Sequence, residues 1–267
     1  MLPLFILAAL TYGAASFAFG AGSDESSAIK NWARGLLAAA ALLHFGTIGA
    51  QCVDGHHPFQ SVFLAMSLGM LITVAGFLAI SARRRPMRAL GAVLAPLGLV
   101  GLTLGVVMSA TGEVQSTSEV SATLMRSHIA LATLGVAGFT LAAGVAGLYL
   151  GMERRLRNKQ FQLGQATQSG LSLRGLDKLH WWIVLLVTPV FTLAIVTGSM
   201  ILTRDGGADL YAERGVEMAA GVVAFLATTA ALVSRAVWGL RGRKAAWLTM
   251  VAFLSMVMIL VSYALRS

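Results

Sequence analysis

The sequence predicts an all-α, polytopic integral membrane protein, a helical bundle of about eight transmembrane helices. Of its 267 residues, 57% are hydrophobic and only 12% are charged, whereas soluble domains carry about 25% charged residues. The apolar residues form blocks of roughly 20, which is the length that a helix needs to cross a bilayer. The 29 glycines suit close packing between helices in lipid. A water-soluble globule is therefore excluded.

Hydropathy divides the chain into successive spans with short polar connections. The longest polar stretch, roughly 152–178, is expected to be a solvated connector that is too short for a domain, so we expect a single transmembrane domain over residues 1–267. The GxxxG pairs Gly101–Gly105 and Gly147–Gly151 predict helix-packing faces. The predicted spans are about 1–20, 33–50, 59–82, 88–110, 127–151, 179–203, 214–237 and 244–265.

The distribution of basic residues predicts the orientation. All but four of the 20 lysines and arginines fall on one side of this topology. The positive-inside rule makes that side cytoplasmic and puts both termini on the outer, periplasmic side. We therefore expect a multi-pass protein of the bacterial inner membrane, in contact with lipid. The net charge of +9 is explained by topology, so no nucleic-acid partner is expected. The four exceptions are Arg126, Arg204, Arg214 and Arg266.

Four of the five histidines fall near the outer side. His44 lies within the second span, His56 and His57 lie in the loop before the third, and His128 opens the fifth. His180 alone lies at the cytoplasmic start of the sixth span. Imidazole is a strong ligand for haem iron and for several other metals. The outer cluster therefore predicts haem or metal ligation, while spacing alone leaves haem, a bare metal and a structural role open.

Individual positions refine this prediction. An ionisable side chain inside a membrane is costly and faces a partner or a cavity. Thr47 and Gln51 follow His44 at i+3 and i+7, so one polar stripe is expected to face the bundle. His56 and His57 are adjacent and point apart, so they are not expected to bind one iron. Arg126 lies two residues before His128, where it is a candidate partner for a haem propionate.

Several segments, in order along almost the whole chain, resemble the CcsA cytochrome c assembly family. They are Gly-His-His-Pro-Phe-Gln-Ser-Val-Phe at 55–63, His-Ile-Ala-Leu-Ala at 128–132 with Ala-Gly-Leu-Tyr-Leu at 146–150, Leu-Asp-Lys-Leu at 176–179 with Val-Thr-Pro-Val-Phe-Thr-Leu-Ala-Ile-Val-Thr-Gly at 187–198, and Gly-Leu-Arg-Gly-Arg-Lys-Ala-Ala at 239–246. The resemblance implies a protein that handles haem at the outer side of the membrane for attachment to apocytochrome c. It implies His56 as a haem ligand within the membrane and His128 as an outer-face histidine in contact with haem.

The cofactor implied by this resemblance is haem b. Its iron would be held by His128 with His56, or with His44 as the alternative partner, and His57 and Arg126 would complete the haem-binding residues. Such a protein would hold and present haem rather than catalyse a reaction. Its partners would be other cytochrome c assembly proteins or other membrane subunits.

Two departures from the family pattern favour an alternative function. The family's tryptophan-rich haem-binding loop corresponds to residues 205–217, which contain no tryptophan, and Val233 stands where the family has a second transmembrane histidine. With these differences, the sequence resembles the shorter, eight-helix HemX/YpjD-like branch of the family. The alternative function is therefore a non-enzymatic regulator of haem biosynthesis or a structural subunit of a larger complex. A permease is disfavoured, because no inverted repeat or pair of broken helices is evident.

Overall fold

A computed structural model describes residues 1–21, 27–83, 88–108, 119–158, 172–205, 214–239 and 242–266. These residues contain no strands, and 8 of their helices are long and apolar enough to cross a membrane. The predicted all-α membrane fold is thereby confirmed, while the orientation of the termini stays a prediction. The helices are α1 (Leu2–Ala21), α2 (Ser27–Val53), α3 (Val62–Arg83), α4 (Arg88–Val107), α5 (Glu119–Arg157), α6 (Leu173–Asp205), α7 (Gly215–Trp238) and α8 (Arg243–Arg266).

Helices α5 and α6 are longer than hydropathy predicts. Helix α5 begins at Glu119 rather than at 127, so His128 lies more than two turns inside it instead of opening it. Helix α6 begins at Leu173, which likewise puts His180 about two turns from its start. Hydropathy detects the part of a helix that lies in lipid, whereas Ala, Leu, Met, Glu and Arg extend a helix beyond it. Residues 159–171 of the predicted connector lie outside the described residues.

The chain forms two compact units, Met1–Val114 and Gln115–Ser267. In the first unit, α1 and α3 each pack against both α2 and α4. In the second unit, α5 and α7 each pack against both α6 and α8. Each unit is therefore a four-helix bundle in which consecutive helices are neighbours and the last helix returns to the first. This shared order is not visible as a repeat in the sequence.

Helix α4 approaches its neighbours through glycines. A Cβ atom at Gly101 would lie 2.5 Å from Cγ of Met70, and one at Gly105 would lie 2.5 Å from Cβ of Ser67. The predicted packing face at this GxxxG pair is therefore confirmed, with α3 as the partner. On another side of α4, a Cβ at Gly98 would lie 2.6 Å from the ring of Tyr12 in α1. Small residues thus let α4 contact both neighbours closely.

The second predicted GxxxG face is wrong for the described structure. Apart from the backbone of α5 itself, no atom of the described residues lies within 4 Å of the position that a Cβ would take at Gly147 or Gly151. Helix α5 instead approaches α6 through Gly135, where a Cβ would lie 3.1 Å from the ring of Phe191. The rings of Phe191 and Phe139 also meet edge to face, with centroids 5.6 Å apart.

The polar stripe predicted for α2 faces the interior of the first unit. His44 and Thr47 are fully buried, and Gln51 is 1% exposed. Leu42 and Phe45, on the other side of the helix, are 73% and 66% exposed, as expected for a surface that faces lipid. The amphipathic arrangement of α2 is therefore the reverse of that in a soluble protein, because lipid replaces water outside the bundle.

The matched glycines Gly105 and Gly147 give a test of this packing. We expect Gly105→Ala to destabilise the protein by about 1–3 kcal/mol, because the added methyl group overpacks the contact with Ser67. Gly147→Ala, where space is open, should change stability by less than about 1 kcal/mol. Thermal unfolding of the detergent-purified variants measures both effects. Equal melting temperatures for the two variants would contradict this account of α4.

Candidate functional site

His128 is held by one ring nitrogen and leaves the other available. Its Nδ1 lies 2.9 Å from the carbonyl oxygen of Ala194 and 3.3 Å from Oγ1 of Thr197, both in α6. A carbonyl oxygen only accepts hydrogen bonds, so this contact assigns the proton to Nδ1 and the lone pair to Nε2. The residue is half-buried, and Nε2 has no hydrogen-bond partner in the described part of the chain. This imidazole is therefore oriented as a metal-ligating histidine is.

A glycine in α6 makes room for this ring. A Cβ atom at Gly198 would lie 2.8 Å from Cε1 and 3.2 Å from Nδ1 of His128. The distance of 2.8 Å is too short for a real Cβ contact, so a side chain at this position would displace the ring from its hydrogen bond to Ala194. The segment Ala194–Gly198 therefore supplies both the acceptor that orients the imidazole and the space that it occupies.

The loop of His56 and His57 begins with a Schellman motif. The amide of His56 donates to the carbonyl oxygen of Gln51 at 2.9 Å, and the amide of Gly55 donates to that of Cys52 at 3.2 Å. Gly55 has φ 91°, the left-handed conformation that this motif requires. His56, directly after it, is half-buried, whereas His57 is exposed. Both histidines lie between α2 and α3, as predicted.

The same loop is anchored to α4 through the side chain of Gln51. Its Nε2 donates to the carbonyl oxygen of Gly105 at 3.0 Å. Gln51 thus connects the His56 amide, through its own backbone carbonyl, to the glycine face of α4. Its Oε1 and the Oγ of Ser61, near the other end of the loop, are buried without a hydrogen-bond partner among the described residues.

His44 has hydrogen bonds at both ring nitrogens. Nδ1 lies 3.1 Å from the hydroxyl of Tyr12, and Nε2 lies 2.8 Å from Oγ of Ser67. The rings of Tyr12 and His44 also meet edge to face, with centroids 5.8 Å apart. An iron bound at either nitrogen would replace one of these hydrogen bonds. The arrangement favours a structural role, in which His44 links α1, α2 and α3.

The remaining candidates divide between the two units. His44, His56 and His57 belong to the first unit, whereas Arg126 and His128 belong to the second. Arg126 is exposed and, two positions from His128 on one helix, does not face the same direction. No group of three or more His, Cys, Asp or Glu among the described residues is placed to hold a metal ion. The convergence of His56 and His128 on one haem stays a prediction.

Sequence reasoning missed a charged cluster in the second unit. The guanidinium of Arg235 in α7 binds both carboxylate oxygens of Asp177 in α6, at 3.0 and 2.9 Å, and stacks 4.7 Å from the ring centroid of Trp181. The amide of Gly242, before α8, donates to the same carboxylate at 2.9 Å. The cluster therefore connects two of the segments that resemble the CcsA family. From the sequence, Arg235 is only one of the basic residues on the predicted cytoplasmic side, because 58 residues separate it from Asp177.

His180 is also part of the interior of the second unit. It is 5% exposed, and its Nε2 lies 2.9 Å from Oγ1 of Thr249 in α8. The Thr249 hydroxyl also donates to the carbonyl oxygen of Ala245. His180 thus links α6 to α8 near the basic end of the second unit, which is the end where α5 finishes and where α6 and α8 begin. His44 links helices of the first unit in a similar way.

A double-mutant cycle tests the contact between Gly198 and His128. We expect Gly198→Ala to lower the free energy of unfolding by about 1–3 kcal/mol, because the methyl group collides with the imidazole. In a His128→Ala background the same change should cost little, since the ring is gone. Gly221→Ala is the control, because its Cβ would meet Ile195 at 3.9 Å, an ordinary contact. An equal cost of Gly198→Ala in both backgrounds would refute the contact.

Comparisons with known proteins identify the family. The sequence model of the family described as Cytochrome C assembly protein matches residues 56–266. Searches of curated proteins and of solved structures found no match. The family match begins at His56, includes Arg126 and His128, and excludes His44. The predicted HemX-like branch stays a prediction. Because the match covers most of the sequence, the chain belongs to the cytochrome c assembly protein family.

Proposed function

We propose that this protein binds haem b in the membrane and holds it for cytochrome c maturation. The observation that carries the proposal is the geometry of His128, whose Nδ1 is tied to the carbonyl oxygen of Ala194 while Nε2 keeps its lone pair. Histidines that bind metals are oriented by such a hydrogen bond at the second nitrogen. Membership of the cytochrome c assembly family supports haem as the group that His128 binds.

His56 is the proposed second ligand. The Schellman motif fixes its backbone, and the family match begins at this residue. His57 is exposed on the same loop, whereas His56 is half-buried. His44 remains the alternative ligand, but it would exchange a hydrogen bond to Tyr12 or Ser67 for the iron.

The chain would bind and orient haem without catalysing its attachment. Bound haem supplies the vinyl groups that react with cysteines of another protein. The role of the histidines is to hold the iron, and their hydrogen bonds would set its potential. Arg126, exposed near the start of α5, is the proposed partner of a propionate. Cytochrome c assembly proteins or other membrane subunits are the proposed partners.

The location follows from the topology. We propose that the protein lies in the bacterial inner membrane with both termini on the outer side, supported by the eight spans and by the basic residues concentrated on one side. We also propose that residues 1–267 act as one functional domain. In support, the family match starts in the first compact unit and continues through the second.

The second candidate function is a HemX-like regulator of haem biosynthesis or a structural subunit. It is favoured by the absence of tryptophan from residues 205–217 and by Val233. Under this function, the protein would copurify with partner subunits whether or not its histidines are replaced. Haem binding that depends on His128 would favour the first function.

Absorption spectra of the detergent-purified protein test haem binding. We expect haem titration to produce a Soret band that His128→Ala abolishes, because the oriented Nε2 is lost. His56→Ala should shift the reduced spectrum, since one axial ligand changes. Added imidazole should restore much of the His128→Ala spectrum by occupying the vacated position.

Two control variants keep this experiment specific. His57→Ala, on the same loop, should retain the Soret band, because His57 is a proposed haem contact but not a proposed iron ligand. His44→Ala should also retain the Soret band but lower the melting temperature, because the Tyr12 and Ser67 hydroxyls lose their partner. A wild-type protein that takes up no haem would refute the proposed function.

Cysteine labelling tests the orientation. Cys52 is the single cysteine, so Cys52→Ser gives a background without thiols. In this background we expect Asp54→Cys, in the exposed turn after α2, to react with an impermeant maleimide in intact spheroplasts. Arg155→Cys, exposed near the end of α5, should react only after lysis. The opposite pattern would overturn the orientation.

A further inference from the structure

We propose that the second unit binds the phosphate group of an anionic lipid in a cavity at its basic end. The cavity has a volume of about 240 Å³ and is lined by Tyr149, Leu173, Arg174, Asp177 and Gly242. These residues belong to the last third of α5, the start of α6 and the turn before α8. The site is separate from His128 and does not depend on haem.

The acidic residue of the cavity is already neutralised. Both carboxylate oxygens of Asp177 accept hydrogen bonds from the guanidinium of Arg235, and one also accepts from the amide of Gly242. The Asp177–Arg235 ion pair is 14% and 12% exposed at its two side chains. Asp177 and Arg235 together therefore carry no net charge, and the oxygens of Asp177 are occupied.

The other polar groups of the lining are hydrogen-bond donors. Neither the guanidinium of Arg174 nor the hydroxyl of Tyr149 has a hydrogen-bond or ion-pair partner in the described part of the chain. The Tyr149 hydroxyl lies close to Gly242, where a Cβ would be 2.5 Å from it. A planar guanidinium suits two oxygens of a phosphate group. The two donors and the apolar Leu173 thus match a phosphate attached to an acyl chain.

The charge around the cavity favours an anion. Only two acidic residues, Glu153 and the paired Asp177, lie on the described ends of the helices that form it. A concentration of one charge attracts ligands of the opposite sign. The basic residues on these ends are Arg154, Arg155, Arg157, Arg174, Lys178, Arg243 and Lys244.

The position of the cavity favours a lipid over a soluble phosphate. Hydropathy predicts that the apolar spans of α6 and α8 begin at about residues 179 and 244, so the lining residues Leu173, Arg174, Asp177 and Gly242 lie within two helical turns of those spans. The cavity therefore lies at the end of the apolar spans, which is the level of the lipid headgroups. Basic pockets between transmembrane helices at this level bind anionic headgroups.

Lipid titrations of the detergent-purified full-length protein test the proposal. We expect phosphatidylglycerol to bind more tightly than phosphatidylcholine, with binding measured by native mass spectrometry. Arg174→Gln should weaken phosphatidylglycerol binding about tenfold, which corresponds to the loss of one charge-assisted hydrogen bond. Tyr149→Phe should weaken it less, because a neutral donor is lost. Arg174→Lys, which keeps the charge, should retain part of the affinity.

Arg157→Gln is the matched control, since Arg157 is an exposed cation at the end of α5 that does not line the cavity. It should leave the affinity within about twofold of wild type. If Arg174→Gln binds as wild type does, or if Arg157→Gln weakens binding as much as Arg174→Gln, the site is refuted. Inorganic phosphate and glycerol 3-phosphate are the soluble probes. Full displacement of the lipid by either probe at low millimolar concentration would show that the site binds a soluble phosphate, and it would overturn the proposed lipid.

Discussion

A polar side chain within a membrane finds its hydrogen bonds inside the protein, because lipid offers none. This constraint distinguishes the histidines of the spans. His44 satisfies it at both ring nitrogens through Tyr12 and Ser67. His128 satisfies it at Nδ1 alone, through the carbonyl oxygen of Ala194. Two histidines that look equivalent in the sequence are therefore suited to different roles, the first to connecting helices and the second to binding a ligand.

Hydropathy predicts what the membrane itself selects. The eight spans could be predicted because each must cover the hydrocarbon core with apolar residues. The stripe of His44, Thr47 and Gln51 could be predicted for the same reason, since polar groups turn away from lipid. The first eight residues of α5 could not, because they lie beyond the apolar block, where helix propensity decides. The glycines follow the same division: GxxxG spacing marks a possible contact, but the neighbouring helix decides whether Gly101 or Gly147 makes one.

The partners of each site residue were beyond sequence reasoning, since packing chooses them from distant helices. Ser67 lies 23 residues from His44, and Ala194 lies 66 residues from His128. The ion pair of Asp177 and Arg235 illustrates the limit further. A count of basic residues assigns Arg235 to the cytoplasmic side, yet this arginine also binds a carboxylate and stacks on Trp181. One residue thus supports the predicted orientation and also packs within the second unit.

The two proposed haem ligands depend on glycines in different ways. His56 follows Gly55, whose left-handed conformation closes the Schellman motif and fixes the backbone of the loop. His128 packs on Gly198, where the missing Cβ leaves space for the ring. In both cases the contacts lie within one unit. Binding to groups that are already held in place costs less conformational entropy than binding that must first order them. The ring contacts of His128 and the backbone contacts of His56 would therefore lower the entropic cost of the proposed haem binding.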